Sequence, residues 1–109
     1  MTHRPVVLVV EDEDAGYEAL EAKNADEAIA LLEVRSDVRL VFTDVHMPGT
    51  MDGLRLVAYI RERWPPVRLI VASGVAVVSE SELPVGTSFF RKPYLEDAII
   101  DEMKRLLTA

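Results

Sequence analysis

A parallel β-sheet covered by helices on both faces is the fold class this sequence predicts, and three observations predict it. Short apolar runs occupy residues 6–10, 39–43 and 68–72, the pattern of strands buried on both faces. Stretches with apolar residues at helical spacing alternate with those runs, which is the order of an α/β domain. Each buried run also stops on a polar residue, and in such sheets the rim at the strand C-termini is where ligands bind. At 109 residues there is room for one domain, spanning 1–109.

Residues 6–10 form the first strand, ending at Glu11-Asp12. A short polar break over 13–16 precedes residues 17–22, whose mixed polarity suggests an edge strand. Asn24 with Glu27 reads as a helix N-cap and its capping-box partner. Ala25, Ala28, Ile29 and Leu32 then make one apolar stripe, and Arg35-Ser36-Asp37 ends the helix. The strand over 39–43 drives into Asp44, and Pro48-Gly49 breaks regular structure just beyond it. A helix is expected over 52–64, with Leu54, Val57, Ala58 and Arg61 or Trp64 inward, until Pro65-Pro66 stops it. Residues 68–72 form the next buried strand, closed by Ser73-Gly74. A short helix is expected over 79–83 and a last strand over 87–91, ending at Lys92-Pro93. Leu95, Ala98, Ile99, Met103, Leu106 and Leu107 outline a terminal amphipathic helix.

Composition narrows the function classes. Half the residues are hydrophobic and 28% are charged, as in a globule with a real core. No apolar run approaches the ~20 residues that span a bilayer, and residues 6–10 are too short for a signal peptide's apolar core. Without cysteine there is no disulfide framework and no thiolate metal site. The expected compartment is the cytoplasm, with no membrane partner. A formal charge of −7 argues against nucleic acid, whose binding rests on Lys and Arg neutralising phosphates.

Four strand ends carry the chemistry: Glu11-Asp12, Asp44, Ser73 and Lys92. If the strands run parallel, all four gather on one rim. Together with Met47-Pro48-Gly49, Asp52-Gly53, Ser73-Gly74 and Lys92-Pro93, this ordered set resembles the receiver domain of two-component response regulators, over nearly the whole chain. The resemblance implies a flavodoxin-like, doubly wound sheet of order 2-1-3-4-5. It also implies that Asp44 is the phosphoacceptor, taking a phosphoryl group from a histidine kinase, a phosphotransfer protein or a small phosphodonor. Mg²⁺ would be the cofactor, held by Glu11, Asp12, Asp44 and the backbone carbonyl of His46. Lys92 would stabilise charge on the transferring oxygens, and Ser73 would hydrogen-bond the phosphate once formed. Phe89 resembles the family's aromatic switch position, although a core aromatic explains it as well. With no output domain after Leu107, a stand-alone receiver signalling by protein–protein contact is expected. The alternative is a degenerate receiver used as a dimerisation or docking module. A phosphatase with an aspartate nucleophile would need a second Asp two residues after Asp44, where this chain has His46.

One departure stands out. The family carries a helix between its first two strands, whereas six residues separate Val10 from Tyr17 here. A parallel crossover needs a dozen or more residues, so that helix is read as missing. Its loss would bare apolar sheet beside the terminal helix. A homodimer, face-packed or with the first strand swapped, is therefore expected.

Overall fold

The computed structural model describes residues 6–12, 16–45, 52–74 and 83–108. Five strands form a single sheet: β1 (Val6–Asp12), β2 (Gly16–Ala22), β3 (Val38–Asp44), β4 (Arg68–Ser73) and β5 (Ser88–Arg91). Three helices accompany them: α1 (Ala25–Val34), α2 (Gly53–Arg63) and α3 (Glu96–Thr108). The spatial order is β2-β1-β3-β4-β5, as expected, with β2 on the edge.

The sheet is mixed, which corrects the all-parallel expectation. β3, β4 and β5 run parallel, but β1 is antiparallel to both of its neighbours. Its ladder with β3 pairs Val6 with Thr43 and Val10 with Val38, with a register shift between Val9 and Val10. The cause is the connection to β2. Only residues 13–15 separate the two strands, and Gly16, the first residue of β2, has a φ of +89°. Three residues cannot return a chain along the length of a strand, but they close an antiparallel hairpin readily. The short link that suggested a missing helix therefore also sets the direction of β1.

The two faces are unequally covered. Val6, Leu8 and Val10 alternate onto the face under α1 and α2, where they join Val41, Leu69, Val71, Leu56, Val57 and Ile60 in the main core. Val9, Leu40 and Ile70 lie on the opposite face against Leu106 of α3. That second face thins out toward the edge: Ala19 is exposed and Tyr17 is 46% exposed.

The helix signals operate as read, with one rotation. Asn24 Oδ1 accepts the Glu27 amide at 2.9 Å, and Glu27 Oε1 accepts the Lys23 amide at 3.1 Å. Asp52 caps α2 by accepting the Arg55 amide at 2.9 Å. The buried arc of α2 is Gly53, Leu56, Val57 and Ile60. Leu54 is half-buried and Ala58 is exposed, because the helix turns its Gly53 flank onto the end of β3. In α3, Ile99 and Leu106 are buried as expected, whereas Leu95 precedes the helix and is 77% exposed. The short helix expected over 79–83 lies largely outside the described residues.

α3 is also tied to β5 electrostatically. Glu102 accepts hydrogen bonds from Arg105 Nε at 2.9 Å and from the Ser88 hydroxyl. The Arg105 bonds, with a smaller contribution from Ser88, hold the Glu102 carboxyl below its ordinary range. A lowered folded-state pKa means stability that is present above the unfolded carboxylate pKa and lost as pH falls through the folded one. The stability difference between the parent and Glu102→Gln should therefore shrink on acidification, as followed by urea unfolding at a series of pH values. A difference that does not change between neutral and acidic pH would contradict this.

Candidate functional site

β3 and β4 deliver their last residues side by side. Asp44 pairs with Ala72 in the parallel ladder, Ser73 follows, and the Val45 amide donates to the Ala72 carbonyl at 2.9 Å. β5 adds Lys92, whose amide donates to the Ser73 carbonyl at 3.0 Å. Asp44, Ser73 and Lys92 thus share the rim at the C-terminal ends of the three parallel strands, as the sequence predicts.

Asp44 is 7% exposed, and its Oδ1 lies 2.8 Å from Lys92 Nζ. Burial of a carboxylate is costly unless it is paired, and the lysine supplies the pairing charge. The Lys92 side chain keeps 37% of its surface in solvent, so the ammonium can follow a charge that grows outside Asp44. Ser73 is 3% exposed beside it.

Gly53 seats the other wall. Its amide donates to the Val45 carbonyl at 2.8 Å, and a Cβ built there would fall 2.0 Å from the Asp44 carbonyl oxygen. The N-terminus of α2 can thus approach the Asp44 backbone only because residue 53 has no side chain. Tyr94 closes the α3 side, stacked edge-on against Phe42 and Phe90 with ring centroids at 6.1 and 6.4 Å. Burial first, then the Asp44 charge, push the Tyr94 phenol above its usual pKa. In sequence Gly53 stands out only as part of the Asp52-Gly53 motif, and Tyr94 not at all. Nothing in a linear pattern reveals that either touches the neighbourhood of Asp44. An open depression of about 510 Å³, lined by Gly74, Lys92, Pro93 and Tyr94, gives access to the rim.

Glu11 and Asp12 are not at this rim, which corrects the expectation that all four strand ends gather there. Because β1 runs backwards, its C-terminal residues lie at the opposite end of the sheet. There the Glu11 amide donates to the Asp37 carbonyl at 2.9 Å, and Glu11 Oε1 sits 2.9 Å from Arg39 Nη2. The backbone of Asp12 pairs with Gly16. Met47 and His46, with its expected carbonyl ligand, lie outside the described residues. Phe89 is half-buried against the core under α1 and α2.

This arrangement decides how a metal would fit. Mg²⁺ prefers one or two carboxylates, waters and an incoming phosphate oxygen in a tight octahedron. Among the described residues no group of three acidic or histidine side chains converges. The Asp44 carboxylate already faces an ammonium, and Glu11 faces a guanidinium at the far end. Within one chain, the expected donor set of Glu11, Asp12 and Asp44 does not assemble.

Comparison with known proteins places this rim in context. The family model for the response regulator receiver domain matches residues 6–104. The hydrogenase transcriptional regulatory protein HoxA of Cupriavidus necator is 33% identical over 94% of this chain and 24% of its own length. The response regulator protein FleR of Pseudomonas aeruginosa is also 33% identical, over 91% of the chain and 24% of its own length. This chain therefore spans about a quarter of the length of these curated relatives. The alignment to HoxA runs over 121 positions, more than the 109 residues available, so that relative carries residues this chain lacks. Among solved structures, the receiver domain of NtrX from Brucella abortus is 32% identical, with a TM-score of 0.70 over 81% of this chain and 76% of that one. The signal receiver domain of a LuxO repressor protein from Vibrio parahaemolyticus shares the fold at a TM-score of 0.71 and 22% identity, over 88% of this chain and 75% of that one. With Asp44, Ser73 and Lys92 meeting at the ends of parallel strands in a sheet of this order, the chain belongs to the response regulator receiver domain family of two-component signalling.

Proposed function

We propose that Asp44 is the phosphoacceptor of this receiver, taking a phosphoryl group from a sensor histidine kinase or phosphotransfer protein. The observation that carries the reading is the contact of Lys92 Nζ, at 2.8 Å, with the buried carboxylate at the end of β3. An Asp44 carboxylate oxygen attacks phosphorus, the P–N bond of the phosphohistidine breaks, and the imidazole leaves with the bonding pair. The Lys92 ammonium stabilises charge on the transferring oxygens, which carry most of the negative charge in such a transition state. Once the acyl phosphate has formed, Lys92 has more negative charge to face than before. Ser73 offers a hydroxyl to the new oxygens, in a bond that exists only in the phosphorylated state. A contact made in one state alone is what shifts a conformational population. The Ser73–Gly74 end of β4 is the element that would carry the shift toward a protein partner.

Docking without phosphorylation has no comparable support, since Asp44, Ser73 and Lys92 remain together. The test is intact mass after treatment with acetyl phosphate and Mg²⁺. A gain of one phosphoryl group is expected, absent in Asp44→Asn. That variant should stay folded, because Lys92 is exposed enough to be solvated when its partner becomes neutral. Lys92→Met should slow labelling by about 10²-fold or more, the usual loss when one charge-stabilising donor is removed. Equal labelling of the parent and Asp44→Asn would overturn the assignment.

A further inference from the structure

At the end of the sheet remote from Asp44 lies a cleft of about 350 Å³ that the phosphoacceptor chemistry does not use. Arg39, near the start of β3, and Arg68, the first residue of β4, both line it. Tyr17 of β2 and Glu11 of β1 line it as well, while Pro66 and α3's Leu106 and Leu107 supply apolar wall. The ladders account for this gathering: Glu11 pairs with Tyr17, and Leu40, next to Arg39, pairs with Arg68.

The two arginines differ in what already holds them. Arg39 is fixed in place: its Nε and Nη2 lie 3.0 and 2.9 Å from Glu11 Oε1, and its Nη1 donates to the Ser36 carbonyl at 3.1 Å. Arg68 is half-buried, and its side chain makes no hydrogen bond or ion pair among the described residues. Arginine stays charged in proteins and presents five donors in a planar fork. A guanidinium that is partly withdrawn from water without an acceptor carries an uncompensated cost, and an anion in the cleft would remove it. The local charge favours one. Two guanidiniums stand against Glu11 and the roughly −0.5 charge at the C-terminus of α3, on a chain whose net charge is −7. The Glu11–Arg39 pair is about half exposed on both sides. Pairs so exposed contribute little, so Glu11 yields to a ligand with more acceptor oxygens.

We propose that this cleft binds a small phosphate monoester, its phosphate taken by Arg68 and Arg39 and its organic part lying against Leu106, Leu107 and Pro66. Arginine forks match phosphate bidentately. The three free oxygens of a monoester can serve forks arriving from two strands, where a carboxylate offers only two. The volume is that of a small-molecule site and exceeds what a bare oxyanion fills. Occupancy ties β2, β3, β4 and α3 together far from Asp44, so the site stands whether or not Asp44 accepts a phosphoryl group.

An NMR titration of the nitrogen-15-labelled chain, at constant ionic strength and without Mg²⁺, tests this with three probes: phenyl phosphate, inorganic phosphate and acetate. Phenyl phosphate is expected to give saturable shifts at the amides of Tyr17, Arg68 and Leu107. Its dissociation constant should be about fivefold or more below that of inorganic phosphate, because only the ester has an apolar part to bury. Arg68→Gln should weaken binding by about tenfold or more. That variant loses no side-chain partner among the described residues, so its remaining amide spectrum should match the parent's. Glu11→Gln should tighten binding, since it removes the competing carboxylate. Shifts that fail to saturate, or that persist unchanged in Arg68→Gln, overturn the site. Shifts confined to Gly74 and Lys92 put the anion at the Asp44 rim and overturn it equally. Equal binding of the two phosphates supports the arginine pair and overturns the ester, and acetate binding as tightly as phenyl phosphate overturns the choice of phosphate.

Discussion

Gly53→Ala is expected to lower the unfolding temperature by upward of about 10 °C, and to impair phosphoryl uptake in whatever protein remains folded. The added Cβ would fall 2.0 Å from the Asp44 carbonyl oxygen, 2.8 Å from its carbonyl carbon and 2.9 Å from Val45 Cα. All three atoms are backbone, so no side chain can rotate aside. Either α2 lifts away from β3, exposing Leu56, Val57 and Ile60, which are fully buried, or the end of β3 bends and carries Asp44 with it. Overpacking of this kind costs about 1–3 kcal/mol and occasionally more. The absence of any soft neighbour puts this site at the upper end. At about 4–8 °C per kcal/mol for a domain near this size, the shift is large and is read by thermal circular dichroism. A midpoint within two or three degrees of the parent would show that α2 does not sit on Asp44 as described.

Leu8→Ala should cost about 2–5 kcal/mol, a large part of the roughly 5–15 kcal/mol that holds a typical domain together. Leu8 is fully buried at the centre of β1, packed among the side chains that α1 and α2 cover. Truncation removes the transfer energy of its side chain and leaves a cavity that the two flanking ladders prevent from collapsing. Leu95→Ala removes the same atoms from a residue that is 77% exposed and should change stability by no more than about 0.5 kcal/mol. The paired comparison, by urea unfolding at fixed m-value, separates burial from residue type. Similar losses for both variants would mean that β1 is not the centre of the core.

The same two leucines show where reading the sequence works and where it stops. Buried strands announce themselves by unbroken apolar runs, so β1, β3 and β4 were legible, as was the cap at Asn24; Asp52, expected as the first helical residue, is instead the cap of α2. Leu95 lies on the helical repeat of α3 but precedes its first turn, and a periodic pattern alone cannot say where a helix starts. Leu54 and Ala58 lost the inner face of α2 to Leu56 and Ile60 because the approach of Gly53 to β3 fixes the rotation of that helix, and this is a tertiary contact. Asp44, Ser73 and Lys92 were legible because each ends a strand of known direction. Glu11 and Asp12 were misplaced because an unbroken apolar run such as Val-Val-Leu-Val-Val over residues 6–10 carries no direction of its own. The length of the link to β2 supplies it.

The reversed strand also has a consequence for the order of folding. β1 meets β2 across a three-residue gap, but meets β3 only after α1 has been traversed. Hairpins close within about 1–10 μs, whereas contacts far apart in sequence wait on the entropy of a longer loop. The two N-terminal strands are therefore expected to pair with each other before β3 arrives, and that early pairing would commit β1 to its antiparallel direction.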